Sequence, residues 1–332
     1  MQFKINENIK FTLNNASFPV QFIINLEKHC KLLTIKRILL LISIIVLPLT
    51  SFSQDLSFSQ FYANRLNFNP AWAGVNMEHR RIFTNYRNQW PGISNSNSTY
   101  VSYSASYDQF MEHMHGGFGF RLNNDVQGEG ALSQFSMSAI YSYHLWVSRS
   151  LTVTAGFEAS FVQRRLDATN FIFGDGIDPV TGNYTGGSEA YGKIKNDFPD
   201  FAVGFAAFYK NFYGGISMAH LLKPNQSVSS DPNSRLPRRF AAFAGLMIPI
   251  YERRLGKEVL QISPNIIYLQ QKSFNQLTYG IEGIFKDQFI AGILLRQNLG
   301  IQFSTLIFST GYVTKSWGIR YSYDHQFSAP KI

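Results

Sequence analysis

Apolar and polar positions alternate along most of this chain with a period of two. In residues 151–161, LTVTAGFEASF, one row reads Leu151, Val153, Ala155, Phe157, Ala159, Phe161. The other reads Thr152, Thr154, Gly156, Glu158, Ser160. Side chains of a β-strand alternate between its two faces, so this segment is an extended strand that meets a different medium on each side. The same alternation recurs at Thr99–Tyr107, Gly117–Asn123, Phe135–Leu145, Phe201–Tyr209, Phe240–Ile250, Leu277–Phe285, Phe289–Leu295, Ile301–Val313 and Trp317–Phe327. Ile140 breaks the alternation of its segment, and His325 falls on an apolar row.

About thirteen such segments of roughly 9–12 residues each are present, the length at which a tilted strand crosses a bilayer. Strands of soluble proteins are usually nearer five or six residues. Short connections, Lys210-Asn211 and Lys286-Asp287, alternate with long polar ones, Arg164–Pro199 and Lys223–Pro237. Outer-membrane barrels have this asymmetry between their two rims. The second row is mostly Ser, Gly, Asn and Thr, with isolated Arg or Glu, whereas the water face of a soluble sandwich carries many Lys and Glu. Tyr107, Phe110, Tyr143, Trp146, Phe208, Tyr209, Phe212 and Tyr213 crowd strand ends, where an aromatic girdle meets lipid headgroups. A secreted β-sandwich or solenoid is the competing architecture. Only a closed barrel satisfies all strand hydrogen bonds in lipid. The pattern therefore predicts an all-β fold, a transmembrane antiparallel β-barrel of the outer membrane with about 14 strands. The apolar rows would face hydrocarbon and the Thr152/Glu158 row a lumen. The fourteenth strand is expected within Phe161–Phe173.

The N-terminus reads as an address. Lys36-Arg37 precedes the apolar run Ile38–Leu49, and Ser51-Phe52-Ser53 supplies a small-residue cleavage site before Gln54. Residues 1–53 are thus expected to be a signal peptide with an N-terminal extension. Residues 54–78 are expected to be a lead-in on the periplasmic side, and residues 79–332 the barrel. The only cysteine, Cys30, lies in the leader, which leaves no thiol for disulfides, metal ligation or nucleophilic attack in the exported part. The formal charge is +9, but the leader holds six of the 30 bases and two of the 21 acids, which leaves +5 on the remainder. The remaining bases form no cluster longer than a pair, which argues against nucleic acid as a partner.

Five motifs stand in order near the start of the exported chain: Phe58-Ser59-Gln60-Phe61; Asn69-Pro70-Ala71-Trp72-Ala73-Gly74; Tyr86-Arg87-Asn88-Gln89-Trp90; Gly117-Phe118-Gly119; and Asn124-Asp125-Val126-Gln127-Gly128. In this order and spacing, residues 58–128 resemble the PorP/SprF-like family of outer-membrane proteins of the type IX secretion system of Bacteroidetes. Asp55-Leu56-Ser57 stands where family members often show Asp-Pro-Gln. Gly318, Tyr321, Tyr323 and Phe327 resemble the C-terminal strand signal of bacterial barrels, although Ser328–Ile332 extends beyond it. The resemblance implies a non-enzymatic accessory of type IX secretion without cofactors. Such an accessory would scaffold translocation or surface attachment of a secreted adhesin-like exoprotein with a C-terminal sorting domain. It would also contact periplasmic components, including a peptidoglycan-binding lipoprotein. A diffusion channel or ligand transporter is the alternative.

The residues themselves suggest some roles. Asn69-Pro70 and Ala73-Gly74 are turn chemistry, and Phe58–Gly74 is placed to plug or line the periplasmic mouth. Alternation puts Arg87 and Gln89 in the lumen, where a buried guanidinium needs a carboxylate such as Glu158 or Asp125. Phe58, Ser59, Gln60, Phe61, Asn69, Pro70, Gly74, Arg87, Gln89, Trp90, Asp125 and Glu158 are the candidate partner-binding or lumen-network residues. Other chemistry is thinner. His113-x-His115 beside Glu112 could meet a surface metal at strand spacing. Asp175–Pro179 with Asn183 offers loop oxygens without the EF-hand order. Gly117-x-Gly119 lacks the third glycine and helix of a phosphate loop. His144 near Ser142 and His220 near Ser217 have the residue types of an acyl hydrolase, without an evident third carboxylate.

Overall fold

The structure is a computed structural model, and it describes residues 58–60, 64–75, 80–91, 100–128, 130–169, 176–183, 193–228, 234–252, 258–299 and 304–327. The leader and its cleavage site, Asp175, Phe61 and the C-terminal extension lie outside the described residues. The first strands are β1 (Arg81–Gln89), β2 (Tyr100–Met111), β3 (Gly116–Gln127), β4 (Leu132–Trp146) and β5 (Leu151–Asp167). Then come β6 (Lys193–Tyr209), β7 (Phe212–Ala219), β8 (Arg239–Leu246) and β9 (Ile248–Glu252). The chain closes with β10 (Glu258–Gln271), β11 (Phe274–Phe285), β12 (Phe289–Asn298), β13 (Ser304–Val313) and β14 (Gly318–Gln326).

The fourteen strands of the described residues belong to one antiparallel sheet in which each strand pairs with its sequence neighbour, except that β8 and β9 do not pair with each other and both pair with β10. The fourteenth segment does not come from Phe161–Phe173, as the pattern suggested. Residues 161–167 simply continue β5, which is 17 residues long. The extra segment comes from a break at Met247. It splits the expected strand Phe240–Ile250 into β8 and β9, and both pair with β10. The long connection is likewise shorter than Arg164–Pro199, because β5 and β6 extend into it and leave residues 168–192 between them.

The sheet curls until its first and last strands meet. The indole N–H of Trp90, just past β1, donates to Gln326 Oε1 at the end of β14 at 3.1 Å, and Arg87 lies 4.0 Å from Asp324. The result is a transmembrane β-barrel. Connections alternate between rims. The rim with 210–211 and 286–288 carries short turns, and the opposite rim carries 168–192 and 220–238. The turn at Lys286-Asp287 puts both residues at positive φ, 52° and 56°, the backbone twist that a tight hairpin requires.

The two faces differ as the alternation requires. On β5, Phe157 is 47% exposed while Glu158 is 4% exposed. Ile82, Tyr86, Ile216, Ile281, Ile293 and Ile319 stand on the outer face. Tyr209, Phe212, Phe285, Phe289 and Trp317 ring the short-turn rim on that face. Aromatic rings sit at this level because they are apolar in body and tolerate the wet boundary. Phe110 and Trp146, on lumen rows beside His144, do not join this girdle, and neither do Phe208 and Tyr213. Phe208 and Tyr213 face inward and pack on Trp72.

Candidate functional site

The interior is built around the segment that precedes β1. Two 3₁₀ turns, Arg65–Asn67 and Pro70–Trp72, lie inside the barrel. Asn69, Ala71 and Ala73 are fully buried there. Asn69 caps the second turn, its Oδ1 accepting from the Ala71 amide at 2.8 Å. Pro70 occupies the first position of that turn, where its missing N–H costs nothing.

The wall is shaped to receive this plug. In register across β3 to β8 lie Gly117, Ser142, Gly156, Gly204, Ser217 and Ala241. No residue in this belt has a side chain longer than a hydroxymethyl. The plug follows the belt nearly one residue per strand. The Ser217 hydroxyl donates to the Phe68 carbonyl, and a Cβ on Gly204 would lie 1.9 Å from Asn69 Oδ1. A Cβ on Gly156 would lie 2.3 Å from the Ala71 nitrogen. Ser142 donates to the Ala71 carbonyl at 3.3 Å, and a Cβ on Gly117 would lie 2.0 Å from the Ala73 oxygen. The Gly74 amide then donates to Asp108 on β2 at 3.1 Å, and Asp108 also holds Arg81 at 2.9 Å. Gly74 itself needs its positive φ of 67°.

Packing and hydrogen bonds fix the plug from above and below. Trp72 makes ring contacts with Phe208, Tyr213 and Phe243 at 4.9, 5.7 and 5.4 Å, and the Arg65 guanidinium covers it at 4.6 Å. Such ring pairs add to the large area an indole buries. Asn69 Nδ2 donates to the carbonyls of Phe205 and Ile216 at 3.1 and 3.0 Å. Ile140, the exception to its row, faces inward and packs with Leu66, Trp72 and Ala73. An apolar residue on the lumen row thus marks where the plug rests.

The charged candidates pair only in part as expected. Arg87 faces the lumen, but its carboxylate is Asp324, which also accepts from Arg296 at 3.2 Å and from Ser59 at 2.6 Å. Glu158 is taken by Arg121, which also donates to the Leu66 carbonyl. Asp125 accepts from Ser102 and Gln127 at 2.6 Å each. Register decides the rest: Arg87 lies opposite Ser102 and Ser102 opposite Asp125, so the Asp125 charge acts on Arg87 across the intervening strand, whereas Glu158 lies opposite Ile140 and Ala202, four strands from Arg87. Gln89 lies on the lumen side of β1, Trp90 at the rim, and Phe58 and Gln60 beside Ser59 in the lumen segment. A small polar cavity of about 80 Å³ remains between plug and wall, lined by Arg121, Glu158, Asp200, His220 and Arg239 among others.

The belt residue Gly156 and the braces Asp108, Arg121 and Asp324 were not singled out from sequence, and Ser142 and Ser217 were noted only for their neighbouring histidines. The available signal was a glycine or serine on the lumen row of successive strands. The other chemistry resolves into local structure. His113 lies in a 3₁₀ turn and His115 is left-handed (φ 50°), so strand spacing does not apply to them. Asp178 accepts from the amides of Val180 and Thr181 at 2.8 and 3.4 Å, which holds its carboxyl below the ordinary value. His144 Nε2 lies 2.9 Å from both Ser142 Oγ and the Ala73 carbonyl, sealed under the plug. His220 pairs with Asp200 at 2.7 Å rather than with Ser217. Among the described residues no cluster of three metal-ligating side chains forms.

A curled antiparallel sheet, greasy outside, with a polar lumen filled by its own N-terminal segment, defines a plugged outer-membrane β-barrel. The type IX secretion system membrane protein family PorP/SprF matches residues 50–331, and the chain belongs to that family. No curated protein matches. Among solved structures, the chain is similar to the toluene transporter TbuX of Ralstonia pickettii, with 11% identity and a TM-score of 0.41, covering 79% of this chain and 88% of that one. It is also similar to a FadL homologue of Pseudomonas aeruginosa, with 12% identity and a TM-score of 0.36, covering 75% and 80%.

Proposed function

We propose that this protein is a non-enzymatic scaffold of type IX secretion in the outer membrane. It assists translocation or surface attachment of a secreted adhesin-like exoprotein through the long-connection rim, and it meets periplasmic components at the short-turn rim. Short turns belong on the periplasmic side by analogy with other bacterial barrels. The observation that supports a scaffold over a pore is the plug. Its family motif, Asn69–Gly74, is spent on filling the lumen along a belt with almost no free volume. A barrel filled in this way conducts poorly but still presents two rims to partners.

Deletion of the gene should abolish surface display of the partner exoprotein while its synthesis continues, and unchanged display overturns the scaffold. Purified protein in planar bilayers should be silent. Stable, ion-selective conductance would favour the channel reading instead.

A further inference from the structure

Among the described residues, the outer face carries a local deficit of side-chain volume on β6 to β10. Near the short-turn rim, Ala207, Gly214, Ala244 and Ile266 lie in register across β6, β7, β8 and β10. The next outward row reads Phe205, Ile216, Ala242 and Tyr268. Where neighbouring outer rows carry Phe157, Ile281 or Ile293, these strands offer Ala and Gly. The result is an open, apolar groove of about 530 Å³, walled by Phe205, Phe212, Ile216 and Ile266. That volume is in the range of ligand sites. The groove lies on the hydrocarbon side, and an apolar cavity does not hold water.

The adjacent rim is cationic. Lys210 forms the β6–β7 turn directly beside Phe212, with its ammonium 5.5 Å from the Tyr209 ring. Its amide donates to Ser150 at 3.1 Å, which ties it to the β4–β5 turn that carries exposed Arg149. The two turns, residues 147–150 and 210–211, contain no acid. Cations at this level attract anionic headgroups, and their stems follow the apolar surface.

We propose that this face is a phospholipid site, with an acyl chain seated in the Ala207/Gly214/Ala244 groove and the phosphate held by Lys210 and Arg149. The proposal rests on the orientation of the barrel in lipid, not on its role in secretion. Full-length protein purified in a mild detergent is titrated with dioleoyl phosphatidylglycerol and followed by native mass spectrometry, with heat-modified gel migration as the check of folding. Wild type should retain one lipid per chain. Ala244→Phe and, separately, Ala207→Phe fill the groove from outside and should abolish retention. The double variant Arg149→Ala/Lys210→Ala should weaken binding roughly tenfold. Ile293→Phe, on the same outer face away from the groove, should change nothing. Inorganic phosphate should not compete; if it does, the rim binds free anions and the proposal fails. Retention unaffected in both folded Phe variants, or in the rim double variant, overturns it. So does a dimer that disappears on filling the groove, since the groove would then be a contact between two copies.

Discussion

Gly156→Ala tests the plug without touching the outer wall. Its new Cβ would point into the lumen and lie 2.3, 2.4 and 2.6 Å from the Ala71 nitrogen, the Pro70 carbonyl carbon and Ala71 Cα. All three are backbone atoms, so no side chain can swing aside and the plug itself must move. Ordinary contact begins near 3.4 Å, so the displacement is about 1 Å, enough to break hydrogen bonds of normal length. The first to go are the two from Asn69 Nδ2 to Phe205 and Ile216, worth about 0.5–1.5 kcal/mol each. Part of the Trp72 packing goes with them, where complete removal of a buried aromatic costs about 3–5 kcal/mol. The plug should therefore dock about 2–4 kcal/mol less firmly. The assay is limited proteolysis at Arg65 of the folded protein in detergent, with conductance as a second readout. Cleavage should accelerate at least tenfold relative to wild type. Gly283→Ala is the control, since its Cβ would meet nothing closer than Ala291 O at 3.8 Å. If Gly156→Ala resists protease as wild type does while Gly283→Ala behaves identically, the belt does not seat the plug.

Three further outcomes are expected. Glu158→Gln, which leaves Arg121 as an uncompensated buried charge, should cost about 3–5 kcal/mol, while Arg121→Met with Glu158→Leu should recover much of it; denaturant unfolding followed on gels reads both. Asn69→Ala removes a cap and two donors and should cost about 2–3 kcal/mol, seen as earlier protease entry with the barrel still heat-modifiable. Because the Asp178 carboxyl is depressed by amide donors, the 178–183 turn should be fully formed above the ordinary Asp value near pH 4. It should be lost only as pH falls through the depressed value, visible in the Val180 and Thr181 amide resonances. A turn that melts at pH 5 would contradict this.

The period-two rows of Leu151–Phe161 and its sister segments are enough to specify strands, faces and a barrel. Side-chain alternation is a local property of extended backbone, and lipid rejects any other spanning sheet. The short turns and the lumen side of Arg87 follow from the same local rule. What no row reveals is which strand ends up opposite which. Arg87 meets Asp324 because curling the sheet brings residue 87 to residue 324, a proximity that no local pattern encodes. The belt Gly117–Ser142–Gly156–Gly204–Ser217 exists only as a register across strands, each member an unremarkable small residue in its own segment. Ile140, Phe208 and Tyr213 stand on lumen rows by alternation alone, and only the plug explains why apolar side chains are stable there. Local chemistry in the sequence set the faces of each strand; long-range pairing, available only once the chain had closed on itself, decided what filled the space between them.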